Sequence, residues 1–199
     1  MLILILLRHY NYCRIIMIMT QNNLLTADRM RQALQRLSEL LDRPVTLILG
    51  GGGAMILAHH FPLSTLDLDA VPKGIELHEL DQWVKQVARE QNLASDWLNP
   101  YFGIFVHTLP QDYAQRLIQV FAQGNLTVQA LGKEEMLIMK CFAHRQKDVG
   151  HARALIRKGA NAEFVEKQIQ SLLKKKIPQA QEALDFLYDV LDQEGEMEK

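Results

Sequence analysis

The sequence predicts an α+β protein: a small mixed β-sheet flanked by helices, then a C-terminal helical bundle. Three observations point there. Short apolar runs of strand length, partly β-branched, stand beside glycine, proline and asparagine turns in the first two-thirds of the chain. Between those runs, apolar residues recur at helical spacing, and from Lys133 onward only that spacing remains. Of 199 residues, 48% are hydrophobic and 23% charged, which is enough apolar material for a real core. The expected organisation is an extension over residues 1–18, an α/β core over 19–131 and a helical region over 132–199.

Residues 1–7 are apolar, residues 8–14 carry two arginines, and residues 15–19 are again apolar. Seven apolar residues are too few to span a bilayer, and the run lacks a charged start and a small-residue cleavage site. Residues 1–18 are therefore read as a non-native or disordered extension, with Met17 or Met19 rather than Met1 as the true start. Thr26 caps a helix carrying Met30, Leu34, Leu37 and Leu41, which ends before Pro44. A strand follows over 45–49, then the four glycines 50–53, a helix-like apolar segment over 54–58 and a strand over 66–71. A helix over 76–91 has Leu80, Val84 and Val87 on one face, with Trp83 in the core. Residues 96–100 read as a loop and 103–107 as a strand. Residues 116–121 and 126–131 read as a hairpin around Gln123-Gly124-Asn125 that extends the same sheet.

Four helices complete the chain, over about 133–145, over 148–158 closed by Gly159, one capped by Asn161, and one starting at Pro178. The acidic end from Gln193 is expected to fray. A net charge of −1 gives no chain-wide basic footprint for nucleic acid, and Lys174-Lys175-Lys176 reads as a solvated helix end. Two cysteines, Cys13 and Cys141, exclude a disulfide framework and fit a reducing cytoplasm.

The stretch from Val45 to Val71 organises the rest. Four glycines, Gly50 to Gly53, let backbone approach a phosphate at a helix start whose free N–H groups favour anions. On a strand, Asp67 and Asp69 face the same side with Cα atoms roughly 6.6 Å apart, near enough to share Mg²⁺. A tight turn for helix packing and a charged edge strand account for the same residues separately. Together, the two aspartates would repel each other unless a cation stood between them. His59 and His60, at the end of the glycine-led helix, suit its dipole as cations.

Gly51-Gly52-Gly53-Ala54, followed by Ser64-Thr65-Leu66-Asp67-Leu68-Asp69, resembles the Gly-Gly-x-Ala … Thr-x-Asp-x-Asp signature of the nucleotidyltransferase superfamily. Residues 137–148, with Lys140, Ala143, Arg145, Lys147 and Asp148, are similar to a second segment, Leu-x-x-Lys-x-x-Ala-x-Arg-x-Lys/Arg-Asp. The resemblance is to small bacterial and archaeal proteins around the AbiEii-type toxins and the minimal nucleotidyltransferases. It implies a nucleotidyltransferase-like fold and transfer of a nucleoside monophosphate from an NTP to a hydroxyl of RNA, protein or a small molecule. A cognate partner protein is also implied, and no membrane.

In that reading Asp67 and Asp69 hold Mg²⁺, Gly51 and Gly52 receive the triphosphate, and Lys140 supplies positive charge. Ser64 or Thr65 adds a phosphate contact or satisfies the turn. Asp148 orients Lys140 or caps the next helix, while Arg145 and Lys147 are read as solvated. Three departures from the family pattern stand out: Leu63 in place of an arginine, His151 in place of an aspartate, and no carboxylate on the neighbouring strand candidates. Asp96 or Asp112 would have to substitute from a loop. The alternative expectation is therefore a degenerate module that binds a nucleotide or a protein partner.

Overall fold

Thr26 begins the regular structure as expected: its hydroxyl accepts a hydrogen bond from the Arg29 amide at 3.4 Å, at the start of α1 (Ala27–Leu40). The computed structural model describes residues 24–62 and 64–197. The expectations for residues 1–18, for the start site and for Leu63 lie outside these. Met30, Leu34 and Leu37 put the apolar face of α1 onto the sheet, where all three are fully buried. Each such side chain contributes about 1.5–3 kcal/mol of burial.

The chain continues through β1 (Val45–Leu49), α2 (Gly51–Leu57), β2 (Leu68–Lys73), α3 (Leu77–Gln91) and β3 (Leu98–Asn99). Two 3₁₀ segments, Tyr101–Thr108 and Tyr113–Arg116, lead to β4 (Ile118–Gln123) and β5 (Leu126–Ala130). The sheet order is β3-β2-β1-β5-β4. β1 runs antiparallel to β2 and parallel to β5, while β4 and β5 form the predicted hairpin, so the sheet is mixed. Gly124 takes φ +51 in the two-residue turn, where a side chain would be strained. β1 is central, and Leu47 and Leu49 are fully buried there with Val128 of β5 in one core cluster.

Helices α4 (Lys133–Ala143), α5 (Gln146–Arg157), α6 (Ala162–Lys174) and α7 (Ala180–Met197) follow. Asn161 caps α6 through the Phe164 amide at 3.0 Å, and Val165, Ile169 and Leu172 point inward as their spacing requires. Gly159, at φ +81, closes α5. Cys141 is fully buried, and burial pushes its thiol well above the usual range, which suits a small apolar packing residue.

Several sequence expectations are corrected. Residues 103–107 are not a strand but part of a 3₁₀ turn. Pro100 starts it by accepting from the Gly103 amide at 2.9 Å, and its inward residues, Phe102 and Thr108, do not alternate as strand residues do. Arg116 stays out of β4 because its guanidinium is held by Asp112 at 2.8 Å and Glu135 at 2.7 Å. The last helix starts at Ala180 rather than Pro178, since Gln179 takes a left-handed φ of +63 between them. It does not fray at Gln193, because Glu194 is gripped by Arg153 and by Arg157 at 2.6 Å. Trp83 is half-buried at the core's margin, whereas Trp97, in the segment read as a loop, is fully buried and donates to the Val84 carbonyl at 2.9 Å.

Candidate functional site

The β1–α2 junction sets the geometry of the site. After Leu49 the backbone bends sharply: Gly50 donates to the Asp69 carbonyl at 2.9 Å, and Gly51 has φ +54. A Cβ on Gly51 would lie 1.9 Å from Asp69 Oδ2, and one on Gly52 would lie 2.8 Å from Thr65 Oγ1. The glycine bend and the aspartates therefore meet on one side of the sheet, and only glycine at 51 leaves room for the carboxylate. With Gly50 as the N-cap of α2, the amides of Gly51 to Gly53 have no intrahelical acceptor.

Asp67 does not belong to the strand as expected. β1 turns away at Gly50, leaving β2 no partner on that side before Asp69, and Thr65 instead bridges Leu25. Asp67 is held just ahead of the strand by Asn99 Nδ2, which donates to Oδ2 at 2.9 Å, and by the Thr65 hydroxyl at 3.4 Å. Asp69 is β2's second residue and stands in register with Asn99 of β3. Both aspartates still face one cleft. Burial first, and then the Asp67 charge, lift the Asp69 carboxyl from its ordinary 3.8 to about 6.

A cleft of about 550 Å³ gathers these groups, within the usual range for ligand sites. Gly51, Gly52, Ser64, Thr65, Asp67 and Asp69 form one wall, and Lys140, Arg145, Lys147 and His151 another. Of the residues to which the nucleotidyltransferase resemblance gives a metal or nucleotide role, Asp148 is absent from the lining. It lies fully buried beneath Lys140, 2.8 Å from its Nζ, and also accepts from Arg145 Nε at 2.6 Å. Asp148 sits in the first turn of α5 rather than at its N-cap, and its carboxylate pairs with Lys140. Burial alone would raise the Asp148 carboxyl, but His151, Arg145 and Lys140 together hold it well below the carboxylate range. Burial pulls the Lys140 ammonium down, against the pull of Asp148. Arg145 and Lys147 are exposed, as expected, but they line the cleft instead of facing bulk solvent alone.

Two residues were missed in the sequence. Asn99 lies on β3 in register with Asp69, donates to Asp67, and its Oδ1 accepts from the Tyr101 amide at 2.9 Å. Tyr101 itself lies in the cleft wall with Phe105. The asparagine of Trp97-Leu98-Asn99-Pro100 was the available signal, because an amide beside two carboxylates is a natural donor. Neither Asp96 nor Asp112 lines the cleft, and Asp112 is bound to Arg116. His59 is no helix-end cation. It is buried, its Nε2 meets the Leu131 carbonyl at 2.9 Å, and burial lowers its pKa.

Among the described residues no group of three or more His, Cys, Asp or Glu side chains is placed to hold a metal ion. Two carboxylates remain, and Asp69 resists ionisation because it is buried and then because it faces the Asp67 charge. The oxygens of both are hard donors of the kind that divalent cations take as ligands. Among the described residues no helix is long and apolar enough to cross a membrane.

The glycine bend, the paired aspartates and the mixed sheet define the class, a nucleotidyltransferase-like α+β protein. The model of a family described as nucleotidyltransferase of unknown function (DUF6036) matches residues 23–193, and the chain belongs to that family. No curated protein and no solved structure matches it significantly.

Proposed function

We propose that the protein binds an NTP with Mg²⁺ and transfers its nucleoside monophosphate to a hydroxyl of RNA, protein or a small molecule, in the manner of a toxin. The observation that carries this reading is the contact of Asp69 with Gly51, which sets carboxylates beside free backbone amides. In the reaction the acceptor oxygen bonds to the α-phosphorus, the bond from that phosphorus to the β-bridging oxygen breaks, and pyrophosphate leaves. The acceptor proton passes to solvent.

Asp67 and Asp69 would hold Mg²⁺, which, when bound, offsets charge on the phosphoryl oxygens. The Gly51 and Gly52 amides donate to the phosphate chain, with Ser64 and Thr65 at its side. Lys140 faces the same chain as a positive charge fixed by Asp148, and Arg145 and Lys147 add to the positive wall. Asn99 fixes the rotamer of Asp67 by donating to it, which leaves the other carboxylate oxygen directed by Thr65.

A second reading rests on Asn99. An amide in that place gives no third carboxylate, and the protein then binds Mg-NTP as a regulatory or antitoxin-like module without transferring it. Incubation with each labelled NTP, Mg²⁺ and a cell extract separates the two. Transfer of label to RNA, protein or a small molecule, abolished by Asp67→Asn with Asp69→Asn, supports the enzyme. Bound nucleotide without labelled product supports the module.

A further inference from the structure

The 3₁₀ segment Tyr101–Thr108 presents its aromatic residues in two different ways. Phe102 is 2% exposed and packs where a side chain on Gly50 would be, since a Cβ there would lie 2.8 Å from its ring. Phe102 therefore anchors the segment to the glycine bend. Tyr101, 57% exposed, and half-buried Phe105 line the cleft beside it with far more of their rings free. Their centroids are 6.5 Å apart and the rings are inclined at 72°, an edge-to-face corner in the cleft wall. A flat ring stacked on one member of this pair has its rim against the other, the offset and edge-on geometries that aromatic rings prefer.

The corner is tied to the carboxylates by a short relay. The Tyr101 amide donates to Asn99 Oδ1, and Asn99 Nδ2 donates to Asp67 Oδ2, both at 2.9 Å. The relay holds the Tyr101 backbone beside the acidic pair, along the same cleft. Among the described lining residues none is an asparagine or glutamine, the side chains that read a base edge with both a donor and an acceptor. Stacking tolerates any base and grows with ring area.

We propose that Tyr101 and Phe105 form the nucleobase subsite of the cleft, holding a purine by stacking and not distinguishing adenine from guanine. The inference rests on the Mg-NTP reading above, and it adds what that reading lacks, the place and the selectivity for the base. Sugar and phosphates then run from the aromatic corner past Asp69 to the glycine amides.

The test compares Mg-tripolyphosphate, which has the phosphates and no base, with ATP, GTP, CTP and UTP, each titrated calorimetrically with Mg²⁺. ATP and GTP are expected to bind with similar affinity, at least tenfold tighter than tripolyphosphate and several-fold tighter than CTP and UTP. Tyr101→Ala should reduce ATP and GTP affinity about tenfold and leave tripolyphosphate affinity unchanged. Tyr101→Phe, which keeps the ring, should restore ATP binding to within about twofold of wild type. Tyr101 is exposed, so neither change threatens folding, and the unchanged tripolyphosphate affinity checks that point. ATP affinity unaltered by Tyr101→Ala, or equally lost in Tyr101→Phe, overturns the subsite while leaving the phosphate reading intact. A wild-type protein that binds no Mg-tripolyphosphate and no Mg-NTP overturns the underlying reading and the subsite with it.

Discussion

Replacing Asp69 with asparagine is expected to stabilise the metal-free protein at neutral pH, which is unusual for a half-buried residue. The Asp69 carboxyl is raised from 3.8 to about 6 in the folded chain by burial and by Asp67. The native state therefore keeps a proton that the unfolded chain has already released. Over the window from about pH 4 to about pH 6, stability falls as pH rises, and above it the whole penalty remains. A shift of about two units at 1.36 kcal/mol each gives about 3 kcal/mol, which partial solvent screening reduces to about 1–3 kcal/mol. For a chain of this size that is about 2–10 °C in melting temperature. Thermal unfolding in chelator at pH 4, 5, 6 and 7 should show Asp69→Asn equal to wild type at pH 4 and increasingly above it towards pH 7. With Mg²⁺ added at pH 7, wild type should gain stability and the variant should not, because only a ligand bound to the native state stabilises it. A variant melting at or below wild type at pH 7 in chelator would refute the argument that these carboxylates are crowded.

Gly51→Ala should abolish Mg-NTP binding and lower the melting temperature by several degrees. A left-handed φ costs a side chain about 1–2 kcal/mol, and Asp69 must move to admit the methyl group. Lys140→Met leaves Asp148 buried with Arg145 as its remaining close cation. A loss of about 3 kcal/mol is expected in urea unfolding, and an unchanged midpoint would count against the pair. Asn99→Ala frees Asp67 from its amide and is expected to weaken Mg²⁺ affinity about tenfold or more, measured by calorimetry, with little change in fold stability.

The parts of the fold legible in the sequence were those with a local cause. Thr26 and Asn161 cap their helices because a short polar side chain can reach an amide two or three residues on, whatever the tertiary fold. The turn at Gly124 and the bend at Gly51 take a left-handed φ, which glycine adopts without the cost a side chain would add. Lys140 and Asp148 met because α4 and α5 fold back on each other around a tight connection, and their motif spacing preserved that pairing. The residues that were not legible owe their structure to distant partners. The run Gly103–Val106 is short and apolar, which suits a strand or a turn equally, and the packing of Phe102 onto Gly50 decided the matter. Trp97 and Asn99 lie between a turn and a proline and read as loop. Only β2, α3 and the carboxylate of Asp67 give the one its burial and the other its role. Likewise His59, exposed by its position at a helix end, is buried by the β5–α4 connection at Leu131.

The most direct measurement of the central claim is calorimetric titration of Mg-ATP into wild type and into Asp67→Ala with Asp69→Ala, repeated in chelator. Saturable binding to wild type that requires Mg²⁺ and vanishes in the double variant is the predicted result. Equal affinity in the two proteins, or affinity indifferent to chelator, would contradict it.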